Sequence, residues 1–503
     1  MEFANLKEAI AKLNELEATS AAYNHAMGVL SVDASTVAPS DSAEGRGRTM
    51  EVLSGVIYGL IANPENMDLI RYLEAHDSEL TVLQRRQAEL LRKSVEQISR
   101  IPQEEYVAYS VLMNQADVVW KKAKNNNDFA SFAPCLEQIV AYNRKFAGYY
   151  NAALPAYDAL LNEYEEGLNT ATLDAFFAQL REVLVPLIHA VGKVDAPRDD
   201  FLRRSFSIAA QREFSDYLMD VMGLDKSRCV IGETEHPFTA GFNNHDVRIT
   251  THYHENDLSS SMFSVIHEGG HALYELGMDD AYNFTSIAGG ASMSIHESQS
   301  RFYENIIGRS LPFVEKIFPK MQEIFPEQLS DVTAEEFYRA VNKAEPSLIR
   351  TEADELTYCM HIMVRYELEK KLMDGSLEVK DVPAAWNQMY MEYLGVEVPN
   401  DAQGCLQDSH WAGGMIGYFP SYALGSAYGA QMKVVMESEL GATVEDLIRA
   451  DRIGDITAWL GEHIHRHSAL YKPGELFERI CGRFDAKFYT DYLKEKYTAL
   501  YGL

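Results

Sequence analysis

Two histidines stand four residues apart in the stretch SVIHEGGHALYEL, at residues 264–276. If this stretch is helical, His267 and His271 share one face and lie one turn apart. Two neutral imidazoles at about 2 Å from a single ion are frequent zinc ligands. Glu268, between them, is the carboxylate that takes a proton from water in hydrolytic sites of this pattern. The H-E-x-x-H pattern therefore predicts a metal centre that hydrolyses a bond. The competing interpretation is a chance pair of surface histidines.

The third ligand of this centre has to come from elsewhere in the chain. The extension typical of metzincins needs a glycine and a histidine at the positions that hold Tyr274 and Gly277 here. Glu297, in ASMSIHESQSRFYEN, follows after enough chain for a loop and the start of a second helix. A carboxylate from that helix would complete a site of two histidines and one glutamate with an open position for water. The rivals that remain open are His296, Glu304 and Asp279.

Gly269 and Gly270 stand inside the same predicted helix. Each glycine in a helix interior costs about 1 kcal/mol relative to alanine, so a bulkier residue must be worse at these positions. In one explanation, the substrate or another backbone approaches too closely to leave room for a Cβ. In the other, a neighbouring helix packs against the glycines. The sequence leaves both explanations open.

The elements that must hold these residues are helical over most of the chain. Of the 503 residues, 47% are hydrophobic, which is enough to bury a large core. Apolar residues recur with helical spacing at 80–98 and 170–191, and again near 350–373 and 485–500. The exception is 236–257, where DVRITTHY alternates and predicts a short strand or hairpin. We therefore expect an all-α, mainly helical protein with a short β-hairpin or small sheet directly before the metal-site helix.

Composition limits which binding partners and which cellular location we expect. The formal net charge of −30 repels phosphate backbones, so no nucleic-acid partner is expected. The chain has no apolar run of about 18 residues, the minimum for a membrane span, and its N-terminus shows no signal-peptide pattern. The five cysteines are scattered without a CxxC pair, which argues against a disulfide framework. These features predict a cytoplasmic protein with no membrane partner.

The motifs together resemble those of one known family, the M32 metallocarboxypeptidases, also called the carboxypeptidase Taq family. One departure lies in the N-terminal loop, where Val32-Asp33 and Ala38-Pro39 replace an expected Trp-Asp and Met-Pro pairing. The motifs that carry the resemblance are HPF (236–238), DVRIT (246–250), H-E-G-G-H (267–271), HESQ (296–299), IRTEAD (349–354) and GCLQDSHW (404–411).

The resemblance implies a fold, an activity and a cofactor. The fold would be that of a helical, neurolysin-like metallopeptidase with a deep groove. The activity would be the release of C-terminal residues from peptides with a free C-terminus, with broad side-chain preference. One Zn²⁺ per chain, with Co²⁺ as an alternative, and a homodimer are implied as well. We expect a single peptidase domain over 1–503, in which 1–195 forms a wall of the groove and 196–503 carries the metal motifs.

The resemblance also implies residues that stabilise a developing oxyanion. His410, Tyr418 and Tyr422 stand in the glycine-rich stretch HWAGGMIGYFPSYALG. One tyrosine and the histidine would donate hydrogen bonds to the oxyanion. Which tyrosine does so stays open, because a tyrosine can equally be a packing residue.

Three further residues are candidates for binding the substrate. A carboxypeptidase must hold a free carboxylate, and arginine does so with two parallel hydrogen bonds. Arg350 in IRTEAD is the first candidate for this role and Arg248 in DVRIT is the second. His236 in HPF would bind a substrate carbonyl.

Two supporting roles follow from the same motifs. DVRIT would form an edge strand that pairs with the backbone of an extended peptide, which gives affinity without side-chain preference. Asp354 and Asp408 are candidates for orienting the ligating histidines through hydrogen bonds. For each of these two aspartates, the alternative is an ordinary acid on a helix surface.

Two other functions stay open. An oligopeptidase that cuts internal bonds would use the same metal core, with a groove open beyond the first leaving residue. A catalytically inactive helical binding protein would have no need of Glu268, so the presence of that residue argues against it.

Overall fold

The computed structural model describes residues 3–503, and within them the chain forms 21 α-helices and one three-stranded sheet. The predicted mainly helical class is confirmed. The first eight helices are α1 (Leu6–Thr36), α2 (Ala43–Ile61), α3 (Glu65–Ala75), α4 (Val82–Arg100), α5 (Gln103–Asn126), α6 (Phe129–Asn151), α7 (Ala156–Tyr164) and α8 (Thr170–Val191). The others are α9 (Ile208–Met222), α10 (Leu258–Leu276), α11 (Met293–Arg301), α12 (Leu311–Ile324), α13 (Pro326–Leu329), α14 (Ala334–Val341), α15 (Glu355–Asp374), α16 (Val382–Leu394), α17 (Pro420–Leu440), α18 (Val444–Arg449), α19 (Ile453–His463), α20 (Pro473–Cys481) and α21 (Lys487–Tyr501).

Local sequence explains where the predicted helices begin. α4 starts with a capping box, in which the Thr81 hydroxyl accepts from the backbone N–H of Gln84 and the Gln84 side chain accepts from that of Thr81. α8 begins after Asn169, whose side chain accepts from the backbone N–H of Thr172. α15 and α21 cover most of the other two segments with helical spacing. The periodicity of apolar residues therefore predicts all four helices correctly.

The sheet lies directly before α10 and consists of β1 (Cys229–Glu233), β2 (Thr239–Asn243) and β3 (Asp246–Thr251). β2 and β3 form the antiparallel hairpin that the sequence predicts, while β1 pairs parallel with the other side of β3. The strand order is β1-β3-β2. The prediction that DVRIT forms an edge strand is therefore wrong, because β1 covers the side of β3 that a peptide would need. The edge strand on the hairpin side is β2.

Packing around α10 and α11 positions the predicted metal site. α10 packs against α9, β3 and α11, and α11 packs in turn against α17. One apolar core runs from Leu112 to Tyr501, and a second, smaller core joins residues between Ala9 and Val95. The division into lobes at residue 195 stays a prediction. No helix among residues 3–503 is long and apolar enough to cross a membrane.

Candidate metal centre

α10 and α11 bring the three predicted metal ligands together. Nε2 of His267 lies 3.8 Å from Oε2 of Glu297, and Nε2 of His271 lies 3.7 Å from the same oxygen. These ligand atoms all lie within 4.8 Å of one another. Asp257 caps the N-terminus of α10 and Ser292 caps that of α11. The two helices therefore start at residues that favour helix initiation, and their packing makes the ligand atoms converge.

The spacing and the hydrogen bonds of these side chains fit a divalent ion. Nδ1 of His267 lies 2.9 Å from Oε2 of Glu304, and Nδ1 of His271 lies 2.7 Å from Nδ1 of His296. Each imidazole thus uses Nδ1 for a protein contact and turns Nε2 toward Glu297. At 3.7 and 3.8 Å these nitrogens are too far from the carboxylate for hydrogen bonds. Ligands at about 2 Å from a common ion lie up to about 4 Å apart, so the separation suits zinc.

The other candidates for the third ligand, Glu304, His296 and Asp279, do not lie among the converging ligand atoms. Glu304, on the π-helical turn Phe302–Gly308 after α11, contacts His267 from behind. His296 bridges His271 to Glu275, whose Oε1 lies 2.7 Å from Nε2 of His296. Asp279 caps the short turn after α10 instead. Glu304 and His296 therefore hold the ligating imidazoles in orientation, as outer partners of metal ligands do.

Arg301 connects the third ligand to this outer layer. Its Nε donates to Oε1 of Glu297 at 2.7 Å, and its Nη1 donates to Oε2 of Glu304 at 3.2 Å. Burial disfavours ionisation of Glu304, but Arg301 and His267 outweigh it and hold the pKa of this carboxyl well below its usual range. Glu304 is therefore an anion that accepts from His267. In the sequence, the helical spacing of Glu297, Arg301 and Glu304 is the signal that points to this arrangement.

Glu304→Gln is expected to weaken zinc binding by about 10- to 100-fold, because the charge that orients His267 is lost while the metal ligands remain. Competition with a chromophoric chelator measures this affinity. Glu462→Gln serves as the matched control, since Glu462 lies on the surface and pairs with Arg466 one turn away. An unchanged affinity would contradict the orienting role of Glu304. A loss as complete as that of His267→Ala would make Glu304 a ligand itself.

Asp354 and Asp408 do not orient the histidines, so this part of the sequence analysis is wrong. Asp354 caps α15, where it accepts from the backbone N–H and the hydroxyl of Thr357. Asp408 lies between two arginines: Nε of Arg350 donates to its Oδ1 at 3.0 Å, with Nη2 2.9 Å from the same oxygen, and Nε of Arg365 donates to its Oδ2 at 2.7 Å. Both acids stabilise the scaffold and the groove wall.

The predicted general base stands beside the ligands and is held by the sheet. Thr239, at the start of β2, donates from its hydroxyl to Oε2 of Glu268 at 2.6 Å. Only 7% of Glu268 is exposed. Burial raises the pKa of the Glu268 carboxyl, although His267 and the hydrogen bond from Thr239 oppose this. A carboxylate with a raised pKa is a better proton acceptor for general base catalysis near neutral pH. The sequence analysis did not identify Thr239.

The two glycines of α10 are explained by packing. A Cβ on Gly270 would lie 2.8 Å from the carbonyl oxygen of Gln299 and from Cα of Ser300, which are backbone atoms of α11. A Cβ on Gly269 would lie 2.6 Å from Cε of Met222 on α9. The atoms that exclude a Cβ at both glycines therefore belong to neighbouring helices and not to a substrate-binding cavity. Gly270 therefore allows α11 to approach α10 closely enough for Glu297 to reach the histidines.

His267 and Glu297, two of the three predicted metal ligands, open onto a groove of about 1140 Å³. Among the residues that line it are His267, Glu268, Glu297, His236, Arg350 and Tyr422. His236 is exposed at the rim, in the bend before β2. The groove therefore brings two of the predicted metal ligands, the predicted base and two of the three predicted substrate-binding residues to one surface.

Arg350 keeps positive charge at the groove wall although it is paired. Its guanidinium and that of Arg365 share the single carboxylate of Asp408, which leaves one excess positive charge. The group also lies 5.1 Å from the centre of the Tyr422 ring. Arg248 is placed differently: it pairs with Asp246 at 3.0 Å and stacks over Phe242. Arg248 is absent from the groove lining among the described residues.

The three predicted oxyanion donors form one cluster. Nε2 of His410 lies 3.4 Å from the hydroxyl of Tyr422, and the ring of Tyr418 meets the ring of Tyr422 edge-on at 5.2 Å. Burial, together with the charges of Arg350 and Arg365, lowers the pKa of His410 to about 4. His410 is therefore neutral near pH 7. Of the cluster, Tyr422 is the member that lines the groove.

Comparison with known proteins places the whole chain in one group. A family profile described as "Carboxypeptidase Taq (M32) metallopeptidase" matches residues 12–497. Carboxypeptidase 1 of Bacillus subtilis (strain 168) is 39% identical over 481 residues, covering 95% of this chain and 96% of that protein. Thermostable carboxypeptidase 1 of Thermus thermophilus is 36% identical and covers 96% of this chain and 97% of its own length. The crystal structure of an M32 carboxypeptidase from Deinococcus radiodurans R1 superposes with a TM-score of 0.94 at 37% identity, covering 98% of this chain and 100% of that chain.

Proposed function

The chain belongs to the carboxypeptidase Taq (M32) family of metallopeptidases and is a metal-dependent carboxypeptidase, and we propose that it acts through one Zn²⁺ held by His267, His271 and Glu297. The observation that carries this proposal is the convergence of the three ligand atoms within 4.8 Å beside a buried carboxylate, on a groove. Two imidazoles and a carboxylate suit Zn²⁺, and Co²⁺ binds the same donors readily. The proposed substrates are peptides with a free C-terminus.

Proton transfer is the task of Glu268. A bound Zn²⁺ supplies Lewis acidity, which polarises a carbonyl and makes a water more acidic. Thr239 holds Oε2 of Glu268 by a hydrogen bond, so Oε1 is the oxygen that takes the proton from the attacking water. The same carboxyl then passes the proton to the leaving amine.

His410 and Tyr422 stabilise the negative charge that develops on the carbonyl oxygen. Tyr422 is favoured over Tyr418 because its side chain lines the groove and its hydroxyl lies within 3.4 Å of Nε2 of His410. Tyr418 packs edge-on against the Tyr422 ring and supports its position. Hydrogen-bond donors that are held in place before the reaction lower its barrier without reorganising.

Backbone pairing gives the broad side-chain preference. β2 lies at the edge of the sheet, and Thr239 connects it to Glu268. An extended peptide that pairs with this edge binds through its own backbone amides, whatever its side chains are. His236, which lines the groove before β2, would bind a substrate carbonyl.

Arg350 binds the terminal carboxylate of the substrate. A carboxylate that enters the groove loses water, and the excess positive charge of the Arg350, Arg365 and Asp408 group replaces those interactions. Arg350 is the member of this group that lines the groove. A carboxylate bound next to the metal limits cleavage to the last residue, which distinguishes a carboxypeptidase from an oligopeptidase.

Arg350→Ala should reduce kcat/KM on peptides with a free C-terminus by about 10- to 200-fold, because charge-assisted hydrogen bonds to the carboxylate are lost. C-terminally amidated peptides lack this charge, so the wild type should cleave them poorly and the variant should lose little more on them. Product masses from the two peptides measure the difference. Arg248→Ala is the matched control and should behave as the wild type, since Arg248 lies outside the groove.

Each other outcome of this experiment has a definite meaning. If Arg350→Ala impairs both peptides equally, the arginine is structural and the carboxylate is bound elsewhere. If the wild type cleaves amidated peptides well, it acts as an oligopeptidase. The homodimer, the cytoplasmic location and the lack of a nucleic-acid partner stay predictions from the sequence.

A further inference from the structure

Glu297 is in direct contact with the backbone of a third helix. α17 packs against α11, and Gly425 on α17 lies directly against Glu297. A Cβ built on Gly425 would lie 2.6 Å from both Cβ and Cγ of Glu297 and 3.0 Å from its backbone carbon. Such a separation is far below carbon–carbon van der Waals contact. The ligand side chain therefore occupies the space that any other residue at position 425 would need.

Other protein groups also restrict Glu297. Arg301 donates to Oε1 at 2.7 Å, and the hydroxyl of Ser300 lies 3.2 Å from Oε2. On the α10 side, Gly270 allows the backbone of α11 to approach. Only 7% of Glu297 is exposed. Because the side chain has little room to adjust, an added methyl group on α17 would displace its stem and with it the carboxylate.

We infer that Gly425 is a positioning residue that sets the location of the Glu297 carboxylate relative to the two histidines. The inference rests on the proposed ligand set and gives a role to the last residue of the glycine-rich stretch 410–425, to which the sequence analysis assigned none. Metal–ligand distances are held to within about 0.2 Å, whereas a clash of this size in a packed interior forces shifts of side chains and backbone. Gly425 therefore acts on the metal through Glu297, without touching it.

Gly429 provides a matched control on the same helix. It lies about one turn after Gly425 and also faces α11, but a Cβ there would lie 3.5 Å from the carbonyl oxygen of Ser298 and 3.7 Å from Cδ1 of Ile306. These are ordinary contacts. Replacing either glycine by alanine raises helix propensity by the same amount, so the two variants differ in what the methyl group meets.

Zinc affinity, measured by chelator competition, tests the inference without relying on turnover. Gly425→Ala should bind Zn²⁺ roughly 10- to 100-fold more weakly, the range expected for overpacking. Gly429→Ala should stay within roughly twofold of the wild type. Circular dichroism tests whether both variants are folded. Equal affinity in Gly425→Ala and the wild type would overturn the inference.

Glu297→Ala separates failure of the inference from failure of the proposed ligand set. If Glu297→Ala binds zinc as tightly as the wild type, the ligand set is wrong. If Glu297→Ala loses zinc but Gly425→Ala does not, the ligand set stands and the role of Gly425 is wrong.

A double-mutant cycle covers the case in which Gly425→Ala folds but is much less stable than the wild type. Glu297→Gly removes both side-chain atoms that the methyl group would meet, so Gly425→Ala should cost less stability in that background than in the wild type. Urea unfolding of the metal-free proteins measures the two costs. Equal costs in the two backgrounds would show that the methyl group clashes with something other than Glu297.

Discussion

Glu268→Gln is expected to keep its zinc and to lose turnover by about 10²–10⁴-fold, the usual contribution of a general base. Glutamine preserves the size of the side chain and can still accept from Thr239, but it cannot take a proton from water. The proposed metal ligands are His267, His271 and Glu297, which the substitution leaves in place, so the ion should remain. Metal analysis of the purified variant, together with kcat on a peptide with a free C-terminus, measures both quantities.

The same substitution at an exposed site controls for general effects of charge removal. Glu315 on α12 is exposed, so Glu315→Gln should have the kcat of the wild type. If Glu268→Gln also turns over at the wild-type rate, another group takes the proton. If the variant loses its zinc, the loss of turnover reflects the metal site and not the base.

Removing the metal is expected to abolish activity, and about one equivalent of Zn²⁺ or Co²⁺ per chain should restore it. Two histidine donors favour these ions, whereas Mg²⁺ and Ca²⁺ prefer all-oxygen sites and should not restore activity. Titration of the chelator-treated protein gives both the stoichiometry and the recovery. Full activity of the metal-free protein would refute the role of the ion.

Variants of the two glutamates identify the third ligand in the same titration. Glu297→Ala should lose tight binding of the ion, because a ligand is missing. Glu304→Ala should bind it more weakly but still one equivalent, because Nδ1 of His267 loses its partner while the ligand atoms remain. The reverse order of the two affinities would exchange the roles of Glu297 and Glu304.

Local spacing along the chain is sufficient to predict the residues that the fold brings together in the candidate metal centre. The helical periods of four segments, the H-E-x-x-H pattern and the position of Glu297 all depend on residues close in sequence. A helix converts a spacing of four residues into neighbours on one face with no help from the rest of the molecule. The sequence alone therefore predicts that His267, His271 and Glu268 share one site.

Local spacing does not predict interactions between segments that are distant in sequence. The assignment of DVRIT to a sheet edge is wrong because pairing with β1 depends on the path of the chain, which alternation does not encode. The prediction that Asp354 and Asp408 orient the histidines is wrong for a similar reason. The sequence does not distinguish an aspartate that caps a helix or pairs with arginine from one that contacts a histidine.

The fine geometry of the metal site depends on how three helices pack. α10, α11 and α17 meet through Gly270 and Gly425, and a glycine in a sequence does not reveal which neighbour excludes its Cβ. The outer partners Glu304 and His296 are likewise defined by hydrogen bonds across the α10–α11 interface. Packing and hydrogen bonding act over a few ångströms in space, so they depend on the fold that brings remote residues together. Helix formation and the spacing of ligands on a helix face depend on residues close in sequence, so the sequence alone determines them.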